Sequence, residues 1–287
     1  MKKYDVARLR NEKLAKNILL CSAVFLTVVI IALIVFMGQQ GLQTFLDVSP
    51  LEFFFSSKWN PDNGQYGAFS FIFGSLLVTF LAILVGGPIG VMGAVFMAKL
   101  APKWVCEIMK PAVNLYMAIP SVVYGFFGLV VLVPFVRDNI GGFGMGVLTA
   151  SILLGLMILP TIISVSEAAI RAVPRSYYAG GLALGASHER SIFFAVLPAA
   201  KRGILASVIL GIGRAIGETM AVIMVAGNQA VLPDSLTSGV RTMTTNIVME
   251  MGYSSGLHRE ALIGTAVVLF IFVLIINISF SLLHKEE

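Results

Sequence analysis

Gly203-Ile204-Leu205-Ala206-Ser207-Val208-Ile209-Leu210-Gly211-Ile212-Gly213-Arg214-Ala215-Ile216-Gly217-Glu218-Thr219-Met220-Ala221-Val222-Ile223-Met224-Val225-Ala226 is an apolar run interrupted by two charges. Its length is what the hydrocarbon core of a bilayer demands of a helix, about 20 residues. Comparable runs lie at roughly 18–37, 71–98, 111–136, 145–166 and 261–283. Of the 287 residues 57% are hydrophobic and 12% charged, whereas a soluble domain carries roughly a quarter charged residues. The expected fold class is therefore an all-α membrane protein with six transmembrane helices. The second run contains Gly86-Gly87-Pro88, where a proline removes a backbone hydrogen bond and predicts a kink or break.

Lys and Arg fall unevenly about these runs. Fifteen of the twenty lie in the amino-terminal segment, the loop with Lys99, Lys103 and Lys110, the loop 167–202 and the tail with Lys285. Lys58, Arg137, Arg241 and Arg259 lie in the opposite loops, and Arg214 lies inside a run. Positive charge stays on the cytoplasmic side, so both termini are expected in the cytoplasm of a multi-pass cytoplasmic (inner) membrane protein. Topology thus accounts for the net charge of +5 without nucleic acid. The basic start followed by Ile18 to Met37 is too long for a cleaved signal and lacks a small-residue cleavage pattern, so a retained anchor helix is expected. Cys21 and Cys106 offer neither a disulfide framework nor metal spacing.

The expected organisation is residues 1–70 as an amino-terminal cytoplasmic segment, first span and periplasmic loop. Residues 71–287 form a core of five spans with a cytoplasmic docking loop at about 167–202. The outer segment 38–70 holds Trp59-Asn60-Pro61 and Gly64-Gln65-Tyr66-Gly67, turn chemistry flanked by aromatics. It fits an interfacial anchor and contact with an external partner equally well. The segment 227–260 is polar and gives no sharper signal.

Two features carry chemistry. Arg214 at the centre of its run costs at least about 2.5–3.5 kcal/mol to insert, so it and Glu218 are expected to face a protein or water-lined interior. The i,i+4 spacing places Glu218 one turn from Arg214 on the same helical face. The pair reads as a self-neutralising bridge between helices or as a substrate-binding site. Gly211, Gly213 and Gly217 permit close helix approach and also leave room for an anion. Arginine offers forked donors that match phosphate oxygens. On the second reading Arg214 attracts a permeating oxyanion and Glu218 prevents binding too tight for release. Asn114, Tyr116, Ser121 and Tyr124 line such a path or bond neighbouring helices.

The second feature is Pro174-Arg175-Ser176-Tyr177-Tyr178-Ala179-Gly180-Gly181-Leu182-Ala183-Leu184-Gly185-Ala186-Ser187, followed by Leu197-Pro198. It predicts a short helix of small residues ending at Gly185 and a second turn from Glu189 to Leu197 that Pro198 stops. It resembles the EAA loop of ABC-importer permeases, with Ala179, Gly180 and Gly181 where that family has its glutamate and alanines. The implied ATPase-docking residues are Ala179, Gly180, Leu182, Gly185, Ala186 and Ser187. No GxxxxGK[ST] occurs, so the chain has no phosphate-cradling loop for ATP.

Together with Ala118-Ile119-Pro120-Ser121-Val122-Val123-Tyr124-Gly125-Phe126-Phe127-Gly128-Leu129, these strings resemble the PstC family of phosphate permeases. The resemblance implies a type I importer permease of the MetI-like fold, a transport subunit rather than an enzyme. It further implies a PstA-like permease partner, a PstB-like ATPase dimer that binds ATP and Mg, and a PstS-like protein delivering inorganic phosphate. No cofactor is expected in this chain. Competing readings are an ABC permease for sulfate or molybdate, a phosphate-sensing membrane subunit that moves no solute, and an intramembrane enzyme. The last lacks a catalytic constellation, since His188, His258 and His284 lie outside the expected spans.

Overall fold

A computed structural model describes residues 2–283, with side chains for residues 12–279. His284, Lys285 and the side chains of the first eleven residues lie outside the described residues. Six described helices are long and apolar enough to cross a membrane: Glu12–Asp47, Phe69–Leu100, Ser121–Asn139, Val147–Ala172, His188–Gly217 and Gly256–Ser279.

Helix α1 (Lys2–Asp47) is exposed along its apolar stretch and leans on the last helix near its end. Contact is possible there because Gly41 lies against Val267 and Gly264 against Thr44. A short helix α2 (Pro50–Phe55) and a hairpin of β1 (Trp59–Asn60) with β2 (Gln65–Tyr66) follow. These are the only strands among the described residues, and Gly64 at φ 68° closes their turn.

The core is built from α3 (Phe69–Val95), α7 (Val147–Ala172) and α10 (Leu197–Gly217). The backbones of α3 and α7 approach closely because Ala82 and Gly86 of α3 face Gly155 of α7. A Cβ on Gly86 would stand 2.6 Å from the Gly155 carbonyl oxygen, and one on Gly90 would stand 2.8 Å from Ile162. Lipid tails are as apolar as the side chains, so such small-residue contact rather than water exclusion holds membrane helices together. Ile158 and Ile162 pack at this interface while Leu153 lies against Gly128, and all three are almost fully buried. Ser166 and Ser207 hydroxyls meet at 2.6 Å across α7 and α10, a buried link of the kind that contributes about 0.6 kcal/mol.

Several expectations about helix ends are corrected. Of the kink or break expected at Pro88 the break is absent: helix α3 runs through Pro88 to Val95 and ends in a wider π turn, Phe96–Leu100. The run expected at 111–136 is two elements. Helix α4 (Lys103–Ala118) ends where Ile119 turns extended (φ −67°, ψ 128°), and α5 (Ser121–Phe127) begins after Pro120. A proline drives the preceding residue out of the helical region, and that decides the break. A π turn, Gly128–Leu132, then joins α5 to α6 (Val133–Asn139).

Pro198 does not stop its helix either. Helix α9 (His188–Ser191) passes through a π turn, Ile192–Val196, into α10. The widened turn precedes the proline, so the N–H it lacks interrupts no regular ladder. The run expected at 203–226 begins earlier and ends at Gly217. A separate helix α11 (Met220–Val225) packs on α5, where a Cβ on Gly125 would stand 2.7 Å from Met224 Sδ and 3.0 Å from Ala221 Cα. The chain closes with α12 (Met243–Glu250) and α13 (Gly256–Leu283).

One end of the bundle, here the basic end, carries Lys99, Lys103, Arg171 and the helix α8 (Arg175–Ala183). The opposite end carries the hairpin and α12. There the buried Glu250 carboxylate accepts from Trp59 Nε1 at 2.7 Å, Arg241 Nη1 at 2.7 Å and His258 Nε2 at 2.8 Å.

Candidate functional site

Arg214 lies in the last turn of α10 rather than at the centre of a longer helix, and Glu218 is outside that helix. Glu218 is extended (φ −71°, ψ 131°) and Thr219 (φ −122°, ψ −56°) precedes the restart at Met220. The expected one-turn relation of Arg214 and Glu218 on a shared helical face is therefore absent. Among the described residues they form no ion pair. The only described hydrogen bond of Arg214 runs from Nη1 to Thr161 Oγ1 at 3.3 Å.

Depth follows from α7, whose 26 residues span about 39 Å at 1.5 Å per residue. Thr161 sits near its middle, so the guanidinium lies level with the middle of this long apolar helix. A cation in a helix's last turn is favoured by the carbonyl end of the helix dipole. That offsets part of its desolvation without consuming its charge on a carboxylate.

Glu218 has different work. Its Oε1 accepts from the backbone N–H groups of Thr219 and Ala221, both at 3.1 Å, and so caps α11. Its own carbonyl accepts from Thr244 Oγ1 at 3.1 Å, and Thr219 Oγ1 donates to the Gly217 carbonyl at 3.3 Å. The break between α10 and α11 is thus satisfied by side chains, as irregular backbone in a membrane must be. Thr244 is held by α12, whose Thr242 and Thr245 form a reciprocal cap. The Met243 N–H in turn donates to Ser75 Oγ on α3 at 2.9 Å.

The three glycines divide their roles. Gly211 packs against Ile162, whereas a Cβ on Gly213 or Gly217 would meet nothing within 4 Å. Open space therefore adjoins Arg214. Tyr124 lies within the field of Arg214. The Tyr124 hydroxyl donates to the Tyr116 carbonyl at 2.5 Å, with ring centroids 5.1 Å apart. These tyrosines bridge the α4–α5 break, while Asn114 and Ser121 have no described hydrogen bond to Arg214 or Glu218. Thr161 and Thr244 were missed from the sequence, where single threonines in apolar runs carry no signal.

At the basic end α8 closes with Gly185 at φ +80°. The Ala186 N–H donates to the Gly181 carbonyl and the Gly185 N–H to Leu182, the paired bonds that end a helix on a left-handed glycine. Ser187 then caps α9, accepting from the Arg190 N–H at 3.2 Å. Ala179, Gly180, Leu182 and Ser187 are exposed, Ala186 half-buried, and Leu184 is 90% exposed. The loop thus presents a short helix outward. Outside the spans, burial and the neighbouring Asp62 raise the Tyr66 pKa. A hydrogen bond from Ser238 lowers that of Asp234.

Residues 86–285 match the family described as the binding-protein-dependent transport system inner membrane component. A probable ABC transporter permease, YqgH of Bacillus subtilis, is 40% identical over 93% of this chain and 90% of its own. The phosphate transport system permease protein PstC of Pasteurella multocida is 33% identical over 82% of this chain and 80% of its own. In fold, the chain is similar to a bacterial ABC transporter involved in alginate import, with TM-score 0.62 and 15% identity over 96% of this chain and 99% of that one. It is also similar to the MetNI methionine ABC transporter in an inward-facing form, with TM-score 0.56 and 19% identity over 79% and 97%.

Proposed function

Because this chain belongs to the family of binding-protein-dependent transport system inner membrane components, we propose that it is the phosphate-conducting permease subunit of an ATP-driven importer. The carrying observation is Arg214: a permanent cation near midplane, beside open space, whose one described partner is the neutral hydroxyl of Thr161. An intramembrane ionisable group without a counter-ion points to an ionic visitor. Guanidinium matches an oxyanion by charge and fork geometry. Relatives of similar length named as phosphate transport permeases supply the substrate.

In this reading Arg214 attracts the phosphate. Glu218 occupies the α11 N–H groups and holds one carboxylate near the site, which keeps occupancy weak enough for release. The exposed helix α8, with Ala179, Gly180, Leu182, Gly185, Ala186 and Ser187 around it, docks a PstB-like ATPase pair that binds ATP and Mg. A PstA-like permease covers the faces of α4 and α5 that this chain leaves open. A PstS-like protein delivers phosphate to the opposite end. The basic end and both termini then face the cytoplasm. Residues 71–287 form the permease core, with 1–70 as an added span and outer segment. Closure of the ATPases moves α8 and α9. Because α9 and α10 are one continuous helix, the motion reaches Arg214, giving alternating access.

The test is uptake of labelled phosphate in cells lacking other phosphate transporters, with matched membrane levels. Arg214→Ala is expected to abolish uptake while Arg214→Lys retains a fraction. Full uptake by Arg214→Ala overturns the role of Arg214. Equal competition by sulfate or molybdate overturns the choice of substrate.

A further inference from the structure

Positive charge at the basic end is not spread evenly. A cleft of about 520 Å³ between the end of α3, the start of α4 and the end of α7 is lined by Lys99, Lys103, Lys110 and Arg171, with Glu107 as its one carboxylate. Topology alone requires cations on this side of the membrane, not their convergence on one cavity.

Two of the four are already engaged. Buried Glu167 takes Lys110 Nζ at 3.0 Å and Arg171 Nε at 2.6 Å, and Arg171 Nη2 also donates to the Met97 carbonyl at 2.7 Å. Among the described residues, Lys99 and Lys103 have no such partner. The engaged pair fixes the wall, and the two lysines outnumber Glu107, which leaves the rim with net positive charge. Helix α4 presents Lys103, Glu107, Lys110 and Asn114 at spacings of four, three and four, one helical face. The adjoining face carries Trp104, Ile108 and Leu115, each more than 60% exposed in the single chain. The cleft therefore sits beside an apolar strip that this chain itself leaves uncovered.

We infer that this cleft binds a phosphate-type oxyanion, with Lys99 and Lys103 as its contacts and the Lys110–Glu167–Arg171 cluster as its rigid back wall. The same chemistry arrives from two sources, the phosphate headgroup of an anionic lipid and free phosphate leaving the midplane site. Only the second source rests on the function proposed above. Ammonium groups at a membrane surface attract such phosphates as point charges.

The experiment uses the full chain with its co-purifying subunits in nanodiscs. In one arm, phosphatidylglycerol mixed with phosphatidylcholine is the probe, and retained lipid is counted by native mass spectrometry. In the other, labelled inorganic phosphate is titrated against Arg214→Ala in phosphatidylcholine alone, so that the midplane site is removed.

Lys99→Gln with Lys103→Gln is expected to weaken binding in at least one arm by about five-fold per lysine, or roughly 25-fold together. Glu107→Gln, which removes the opposing charge, is expected to tighten it, a gain that misfolding does not produce. Loss confined to the lipid arm assigns the cleft to headgroups, and loss in the phosphate arm assigns it to the exit path. The inference is overturned if the double variant matches the unsubstituted lysines in both arms. It is equally overturned if Lys58→Gln, at the opposite end, loses as much per charge. Phosphate uptake by the wild-type chain is scored separately, so failure of the proposed substrate leaves the lipid arm interpretable.

Discussion

Replacing Glu250 by Ala is expected to loosen the opposite end of the bundle by an amount the geometry sets. The carboxylate is buried and receives three donors, from Trp59, Arg241 and His258. Side-chain exposure is 14% for Arg241 and 10% for Glu250. Breaking a buried pair from one side costs about 3–5 kcal/mol, because the remaining charge is left without its partner. Arg241 retains Asn246 Oδ1 at 3.0 Å and the Asn228 carbonyl at 2.9 Å, which places the expectation at the lower bound. A loss of about 3 kcal/mol corresponds to roughly 150-fold more frequent local opening. The assay is amide hydrogen exchange of residues 59–66 and 243–250 in the full chain. Trp59→Phe keeps an aromatic ring where the indole packs 5.3 Å from Phe71, and removes one bond to a charged group, worth about 1.5–3 kcal/mol. Its effect should be the smaller. Removing both partners, Glu250→Ala with Arg241→Met, should recover protection relative to Glu250→Ala alone. Exchange in Glu250→Ala unchanged within about three-fold would refute the reasoning that buried pairing holds this end. Because α12 also carries Thr244, whose hydroxyl bonds the Glu218 carbonyl, uptake should fall in parallel with protection.

Gly125→Leu should separate α5 from α11 at a cost of about 1–3 kcal/mol, since beyond the flexible Met224 Sδ a Cβ there meets Ala221 Cα at 3.0 Å and the Met220 carbonyl oxygen at 3.2 Å, backbone atoms that cannot yield. Reduced thermal stability of the purified chain, together with reduced uptake, checks it. Gly185→Ala forces a side chain into a left-handed position and should destabilise the end of α8 by about 1 kcal/mol. Its readout is weaker co-purification of the ATPase with unchanged membrane levels. Burial raises the Tyr66 pKa above its ordinary 10.0. The neutral phenol therefore supports the fold fully below pH 10, and that support is lost as pH rises through the raised value. Phenolate absorbance in wild type minus Tyr66→Phe should show this late titration, and a difference signal already half complete at pH 10 contradicts it.

Reading the fold from sequence succeeded where length and hydropathy alone decide. All six spans were visible, because a bilayer sets one length for every apolar helix. The glycine ending α8 was equally legible, since a left-handed residue before a cap leaves a local signature. Two misreadings fall at prolines. Pro120 breaks a run read as continuous, and Pro198 does not stop the helix it was expected to stop. A proline's effect depends on whether the surrounding turns widen to absorb it, and one-dimensional spacing does not contain that.

The sequence by itself determined that this chain lies in a membrane and that an arginine and a glutamate interrupt one of its apolar runs. It also determined that one loop presents a small-residue helix. Tertiary structure decided that the two charges are not partners. The helix ends at Gly217, Glu218 turns to cap α11, and Thr161 from another helix meets the guanidinium. Periodicity assumes an unbroken helix. Whether a helix continues past a given residue depends on who satisfies its free backbone groups, and here they are satisfied by Thr244, 26 residues further along the chain, and by the Glu218 side chain itself.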